Sequence, residues 1–261
     1  MFNLADEIFI CKTTKMKIIA EIGEYVLLML QAFRRPDKGK VFRRQLMMDF
    51  QDLGTNSIGL IGFISVFVGA IIAIQMAYNM DNPLLSHKLV GFSTRQMMIL
   101  ELSPTIMSLI LAGKVGSSIA SEIGTMKVTE QISALKVMGI NPANYLILPK
   151  ITAAVIYNPL LIIFSIALGI LGGWGACLTT GIMSTTYYVE GVQAWYEPFT
   201  LTYALIKTVV FAFIISSVSG YMGYTVEGGS VEVARNSTKA VVYSSILIII
   251  FDLILTQLLL I

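Results

Sequence analysis

Ser57-Ile58-Gly59-Leu60-Ile61-Gly62-Phe63-Ile64-Ser65-Val66-Phe67-Val68-Gly69-Ala70-Ile71-Ile72-Ala73-Ile74-Gln75-Met76-Ala77-Tyr78 contains no charged residue, and the uncharged stretch around it runs from Leu53 to Met80. A helix that crosses a bilayer needs about 20 mostly apolar residues. This segment meets that length, and it sets the fold class: an all-α integral membrane protein. The whole composition agrees. Of 261 residues, 56% are hydrophobic and 13% charged, where a soluble domain carries roughly a quarter charged. The mean hydropathy is +0.77.

Outward from that stretch, four more spans are expected. The second runs from about Leu89 to Ser118 and is interrupted by Arg95, Glu101 and Lys114. The third begins near Ile151, within an uncharged run that extends to Val189 and must therefore turn. The fourth covers about Leu201–Tyr224, and the fifth about Ala240–Ile261 with Asp252 inside it. Before the first span, Ile22, Tyr25, Met29 and Phe33 recur at helical spacing from Ile18, with Glu21, Glu24 and Gln31 elsewhere on the wheel. That pattern predicts an amphipathic helix in the membrane interface. The basic residues Arg34, Arg35, Lys38, Lys40, Arg43 and Arg44 follow it. The expected division is an interfacial segment over 1–52 and a transmembrane domain over 53–261.

Lys and Arg distribution sets the orientation. The N-terminal arm, the loop after span two (Lys127, Lys136, Lys150) and the loop after span four (Arg235, Lys239) are basic. The opposite side offers Lys88 and Arg95, then only Glu190 and Glu197. A cytoplasmic N-terminus is expected, in a multi-pass protein of a cytoplasmic membrane. Asp6 and Glu7 in the first residues argue against a cleavable signal peptide.

Several function classes are disfavoured. A net charge of +2 gives no reason to expect nucleic acid. Cys11 and Cys177 are far apart, and His87 is the single histidine, so no disulfide framework, metal set or catalytic triad is read. Neither Gly39-Lys40 nor Gly113-Lys114 has the glycine five residues earlier that a P-loop requires. ATP hydrolysis, if any, is expected from a partner chain. Two rivals remain at this level. One is an ion-driven secondary transporter using Glu101 and Asp252; the other is a membrane-embedded enzyme such as an acyltransferase.

The loop after span two reads as a helix over about Met126–Met138. Val128, Ile132 and Leu135 make an apolar stripe, and Gly139 and Pro142 stop it. Such a helix can dock in a groove of a soluble partner or rest on the membrane surface; composition favours neither. Small residues at four-residue steps, among them Gly69/Ala73/Ala77, Ala112/Gly116/Ala120 and Gly169/Gly173, predict close helix contacts. They do not separate internal packing from a dimer interface.

Three stretches carry a family resemblance: Ala112-Gly113-Lys114-Val115-Gly116-Ser117, then Glu122-Ile123-Gly124-Thr125-Met126-Lys127-Val128-Thr129-Glu130-Gln131, then Met138-Gly139-Ile140-Asn141-Pro142. Together they resemble the signature of MlaE-type permeases, the membrane subunits of MCE-linked ABC systems that move phospholipids or other hydrophobic molecules between bacterial inner and outer membranes. The likeness extends from about Phe42 to the C-terminus. It implies a homodimeric permease in the bacterial inner membrane that is not itself an enzyme and binds no cofactor directly. ATP would be used by a separate cytoplasmic ABC ATPase, usually with a small STAS-domain regulator and, outside, a ring of MCE-domain proteins. It implies that the helix after span two is the coupling helix, with Glu122, Gly124, Lys127, Thr129, Glu130 and Gln131 as its site residues. Glu101, Lys207 and Asp252, each inside a span, are expected to form a polar cluster beside a lipid pocket. The basic residue that can precede the glutamate in this family is Leu100 here, which weakens a headgroup role at that position.

Overall fold

The computed structural model describes residues 20–34, 39–80 and 86–260. Among them the chain is helical throughout, and five helices are long and apolar enough to cross a membrane. We number the helices α1 (20–32), α2 (Gly39–Asn79), α3 (Lys88–Val128), α4 (Gln131–Val137), α5 (Pro142–Thr180), α6 (Thr185–Gln193), α7 (Pro198–Tyr224) and α8 (Ser230–Leu260). The spans are α2, α3, α5, α7 and α8, in the expected number and order.

Four of them, α2, α3, α5 and α8, are longer than the sequence suggests. At 1.5 Å per residue, the 41 residues of α2 and of α3 make rods of about 60 Å, twice the roughly 30 Å hydrocarbon core. The surplus of α2 is its first three turns, which carry Lys40, Arg43 and Arg44, so the basic segment and the first span share one helix. Helix α3 does not end near Ser118: it continues to Val128. The single helix expected over Met126–Met138 is in fact divided. Thr129 and Glu130 form a tight turn, with Glu130 in the left-handed region (φ 59°), and only α4 follows. Gly139 (φ 74°) then stops α4, and the Asn141 side chain caps α5 by accepting from the Ala143 amide, with Pro142 in the first turn. The uncharged run to Val189 turns at Gly181 (φ 65°).

Long helices of this length are seldom regular. Helix α2 widens to π-type hydrogen bonding over Phe50–Thr55, and α3 does so over Met98–Ile106 and Ala112–Gly116. Pro104 explains the second: it has no N–H to return to the Leu100 carbonyl in the four-residue ladder. Lys207 Nζ reaches that carbonyl from α7 at 3.4 Å.

The core is built from close helix pairs. At Gly69 an added Cβ would strike the backbone of Gly169, and at Gly172 it would strike the backbone of Val66. These small residues therefore pack α2 against α5 within one chain. Ser65, Ser165 and Ser103 form a hydroxyl chain through the same contact (2.8 and 3.2 Å), tying α2, α5 and α3 together. Helix α1 lies across α7 and α5. Tyr25 donates to Ser217 (2.9 Å) and meets Tyr221 edge to face, while Asn144 holds the Ala32 carbonyl at 2.7 Å. Leu28, Met29 and Ala32 are buried, but Ile22, Val26, Leu27, Leu30 and Phe33 are exposed. Two members of the expected apolar stripe, Ile22 and Phe33, thus point away from the protein, as an interfacial helix with a second apolar face requires.

Candidate functional site

Charged residues inside apolar helices cost about 2.5–3.5 kcal/mol or more each when unpaired, so their partners define where chemistry can sit. The structure gathers six of them into two triads, one toward each end of the bundle, while Arg95 and Lys114 donate to backbone carbonyls instead.

The first contains the expected cluster. Lys207 of α7 is fully buried, and its Nζ lies 2.5 Å from Asp252 Oδ1 of α8 and 2.9 Å from Glu101 Oε2 of α3. Thr256 accepts from the same Nζ at 3.2 Å, Thr105 donates to Asp252 at 3.1 Å, and Tyr203 shares a hydrogen bond with Thr256 at 2.9 Å. The Tyr203 ring also lies under the ammonium, 4.9 Å from its centroid. All three residues singled out in the sequence are brought together. Asp252 is largely enclosed, whereas the Glu101 side chain is 49% exposed. The triad therefore presents one carboxylate outward while its lysine stays hidden.

The second triad was missed. Lys150 Nζ, buried in α5, lies 2.9 Å from Asp49 Oδ1 of α2 and 2.7 Å from Glu122 Oε2 of α3. Asp49 is also buried, and its Oδ2 has no hydrogen-bond partner among the described residues. Glu122 is 40% exposed. The sequence reading placed Lys150 in a loop, but it sits two turns inside α5. The available signal was its setting, Leu146-Ile147-Leu148-Pro149-Lys150-Ile151, a lone charge with apolar residues on both sides. Arg95, expected to interrupt the second span and counted among the charges of the opposite side, is buried in α3 and donates to the carbonyls of Val192 (2.6 Å), Ala194 (2.9 Å) and Trp195 (3.1 Å), closing the end of α6 between the rings of Phe92 and Tyr196.

The remaining expected site residues surround the α3–α4 turn. Gly124 gives room to the 225–229 connection: an added Cβ would sit 3.1 Å from Val226 and from Val233. Lys127 and Lys136 flank the Tyr224 ring at 5.6 and 5.9 Å. Thr129 turns back on the Thr125 carbonyl (2.8 Å) and accepts from Gln131 (3.0 Å). Within α4, Ile132 is buried and Leu135 packs on the core, while Val137 and Met138 stand out, Val137 at 89% exposure. Glu130 and Gln131 are exposed at the opposite end of α4. The result is a small projecting knob, apolar at its tip, with charge at its base.

Known proteins share this arrangement of sequence. The family profile described as Permease MlaE matches residues 46–258. A probable ABC transporter permease protein of Rickettsia typhi is 33% identical over 94% of each chain. The chloroplastic protein trigalactosyldiacylglycerol 1 of Arabidopsis thaliana is 32% identical over 95% of this chain and 68% of its own length. The intermembrane phospholipid transport system permease protein MlaE of Haemophilus influenzae is 30% identical over 81% of each. With both the family profile and these relatives spanning most of its length, the chain belongs to the MlaE permease family.

Proposed function

We propose that this chain is the membrane-spanning subunit of an ABC transporter that moves phospholipid between the inner and outer membranes of a bacterium, driven by a separate ATPase. The observation that carries the reading is α4. A seven-residue helix held at the end of a 60 Å rod exposes Val137 and Met138 with Glu130 and Gln131 at its base; a soluble partner with an apolar groove would cover that tip. The Rickettsia and Haemophilus relatives, named as a probable ABC transporter permease and an intermembrane phospholipid transport permease, support the same function.

In this reading α4 is the coupling helix, and it faces the cytoplasm together with the N-terminus. ATP-driven closure of the ATPase pushes on α4 and through the two-residue turn on α3. Helix α3 contributes to both triads, Glu122 near its inner end and Glu101 toward its outer one, so its movement changes the setting of both. Glu101, the exposed member of the outer triad, meets lipid or water beside an apolar pocket, and Lys207 with Asp252 holds it there. That pocket is completed by a second copy. Only 11% of the apolar window of α8 is buried in the single chain, and Val242, Ile246, Ile249, Leu253 and Ile254 form an exposed apolar surface suited to a homodimer. An MCE-domain ring outside and a STAS-domain regulator inside complete the assembly that the family likeness supports.

The test is to purify the chain from native membranes and identify what comes with it. An ATPase that co-purifies, and whose turnover responds to phospholipid, is the expected result. A chain that comes alone and moves its substrate on an ion gradient would replace this reading with that of a secondary transporter.

A further inference from the structure

On the α4 side of the bundle, a groove of about 600 Å³ lies outside both triads. Small-molecule sites span roughly 300–1,000 Å³. Helix α1, the end of α3 at Lys127, the last turn of α7, the 225–229 connection and the first turns of α8 line it, and Tyr221, Met222, Val226 and Tyr243 form its apolar and aromatic part. Its charged residues are of both signs. Glu21 and Glu24 come from α1, Lys127 from α3, Glu227 from the connection, and Glu232 and Lys239 from α8. Among the described residues only Glu232 of these makes an ion pair, with Arg235 at 3.2 Å. Glu24 Oε2 accepts from the Tyr221 hydroxyl at 3.4 Å, and the Lys127 ammonium lies over the Tyr224 ring at 5.6 Å. Three carboxylates and two ammonium groups thus face one groove without neutralising each other.

Depth says what could neutralise them. The uncharged turns that begin at Ala240 continue, apart from Asp252, for about 30 Å, the thickness of the hydrocarbon core. Lys239 and Asn236 therefore sit at headgroup level on the α4 side. Helix α1 presents Ile22, Val26, Leu27 and Leu30 outward at the same interface. Lys239 and Asp252 are 13 residues apart on α8, about 20 Å, so the groove is separate from the outer triad.

We propose that this groove binds the headgroup of a phospholipid carrying both a phosphate and a primary ammonium, taken from the leaflet on the α4 side. The phosphate meets Lys239 and Asn236, the ammonium donates to Glu21 and Glu24, and the Tyr221 and Tyr243 rings flank the glycerol. A purely anionic headgroup would leave the carboxylates unmatched. The inference rests on the proposal that the chain handles phospholipid, and it adds which headgroup, which leaflet and which residues.

The experiment uses the full chain with whatever partners co-purify, in nanodiscs of equal phosphatidylethanolamine and phosphatidylglycerol. A photo-crosslinking phenylalanine analogue replaces Tyr243, or Ile58 on the exposed surface of α2 as a control, and the adducts are identified by mass spectrometry. An exposed charge pair of this kind is worth about a 1.5- to fivefold selectivity. The expected ratio of ethanolamine to glycerol adducts at Tyr243 exceeds the Ile58 ratio by that factor. The double variant Glu24→Gln, Lys239→Gln returns it to the control value. Native mass spectrometry of the unmodified chain and of that double variant gives the same comparison without the crosslinker. Equal ratios at the two positions, a preference that survives the double variant, or adducts to protein instead of lipid would each overturn the proposal. Because ATPase co-purification is read separately, its absence with headgroup selectivity intact would count against the transporter reading alone.

Discussion

Lys150 and Lys207 occupy equivalent settings at opposite ends of the bundle. Each is a buried ammonium between two carboxylates on two other helices, one carboxylate enclosed (Asp49, Asp252) and one reaching the surface (Glu122, Glu101). Breaking a buried pair by removing one partner costs about 3–5 kcal/mol, because the other charge is left without compensation. Lys150→Met is therefore expected to lose most of the folded, monodisperse protein in fluorescence-detected size exclusion. Adding Asp49→Asn recovers part of it, since that change removes the stranded buried charge. Normal yield for the single variant would mean that the inner triad holds nothing together.

The outer triad divides differently. Lys207→Met and Asp252→Asn remove enclosed members and are expected to lower folded yield, while the pair together recovers it. Glu101→Gln changes the exposed member, so folded yield is expected to stay near normal while lipid transport in reconstituted vesicles falls. If Glu101→Gln transports normally, its carboxylate is structural only.

At the α3–α4 turn, Glu130 adopts a left-handed conformation that favours glycine. Glu130→Gly is expected to leave the fold intact or raise stability by up to about 1 kcal/mol. Glu130→Lys keeps the backbone strain and reverses the charge. If Glu130 meets the ATPase through its carboxylate, both variants weaken co-purification. If only the turn matters, Glu130→Gly retains the ATPase fully, which is the outcome that would remove Glu130 from the docking contact.

Glycines at two positions give opposite expectations. Gly69→Val drives a side chain into the backbone of α5 and is expected to abolish folded protein. Gly113→Ala meets nothing within 4 Å and is expected to be neutral or stabilising by up to about 1 kcal/mol, the helix preference of Ala over Gly. Thermal unfolding in detergent checks both.

Single cysteines at Ser133 and Glu190, both accessible, are expected to react with an impermeant thiol reagent from opposite sides of the membrane. Labelling from the same side would overturn the orientation.

The spans were readable because lipid imposes a simple rule: twenty apolar residues in a row have few other places to go. The outer triad was readable for a related reason, since Glu101, Lys207 and Asp252 stand alone in apolar surroundings and each needs a partner. Lys150 escaped because a charge near the end of a span looks like a loop charge until the helix is seen to extend past it. The continuation of α3 to Val128 escaped likewise. Ser121, Glu122, Gly124 and Thr125 are polar or small, and it is the packing of Ile119, Ala120, Ile123 and Gly124 against α7 and α8 that carries the helix through them. The position of the turn at Thr129 and Glu130 had no local signal at all, because glutamate is not a residue that marks a left-handed turn.

The backbone contact of Gly69 with Gly169, and of Gly172 with Val66, has a mechanical meaning. Side chains that interlock can change rotamers and let helices slide; two backbones in contact have nothing to rearrange. Helices α2 and α5 therefore behave as one plank, a fixed frame against which other parts work. Helix α8 stands at the opposite extreme, gripped over little of its apolar length by its own chain. Between them runs α3, a long lever with two π-type segments where its hydrogen-bond register already departs from the α ladder, and a push at its α4 end reaches the far side of the membrane only by way of those two joints.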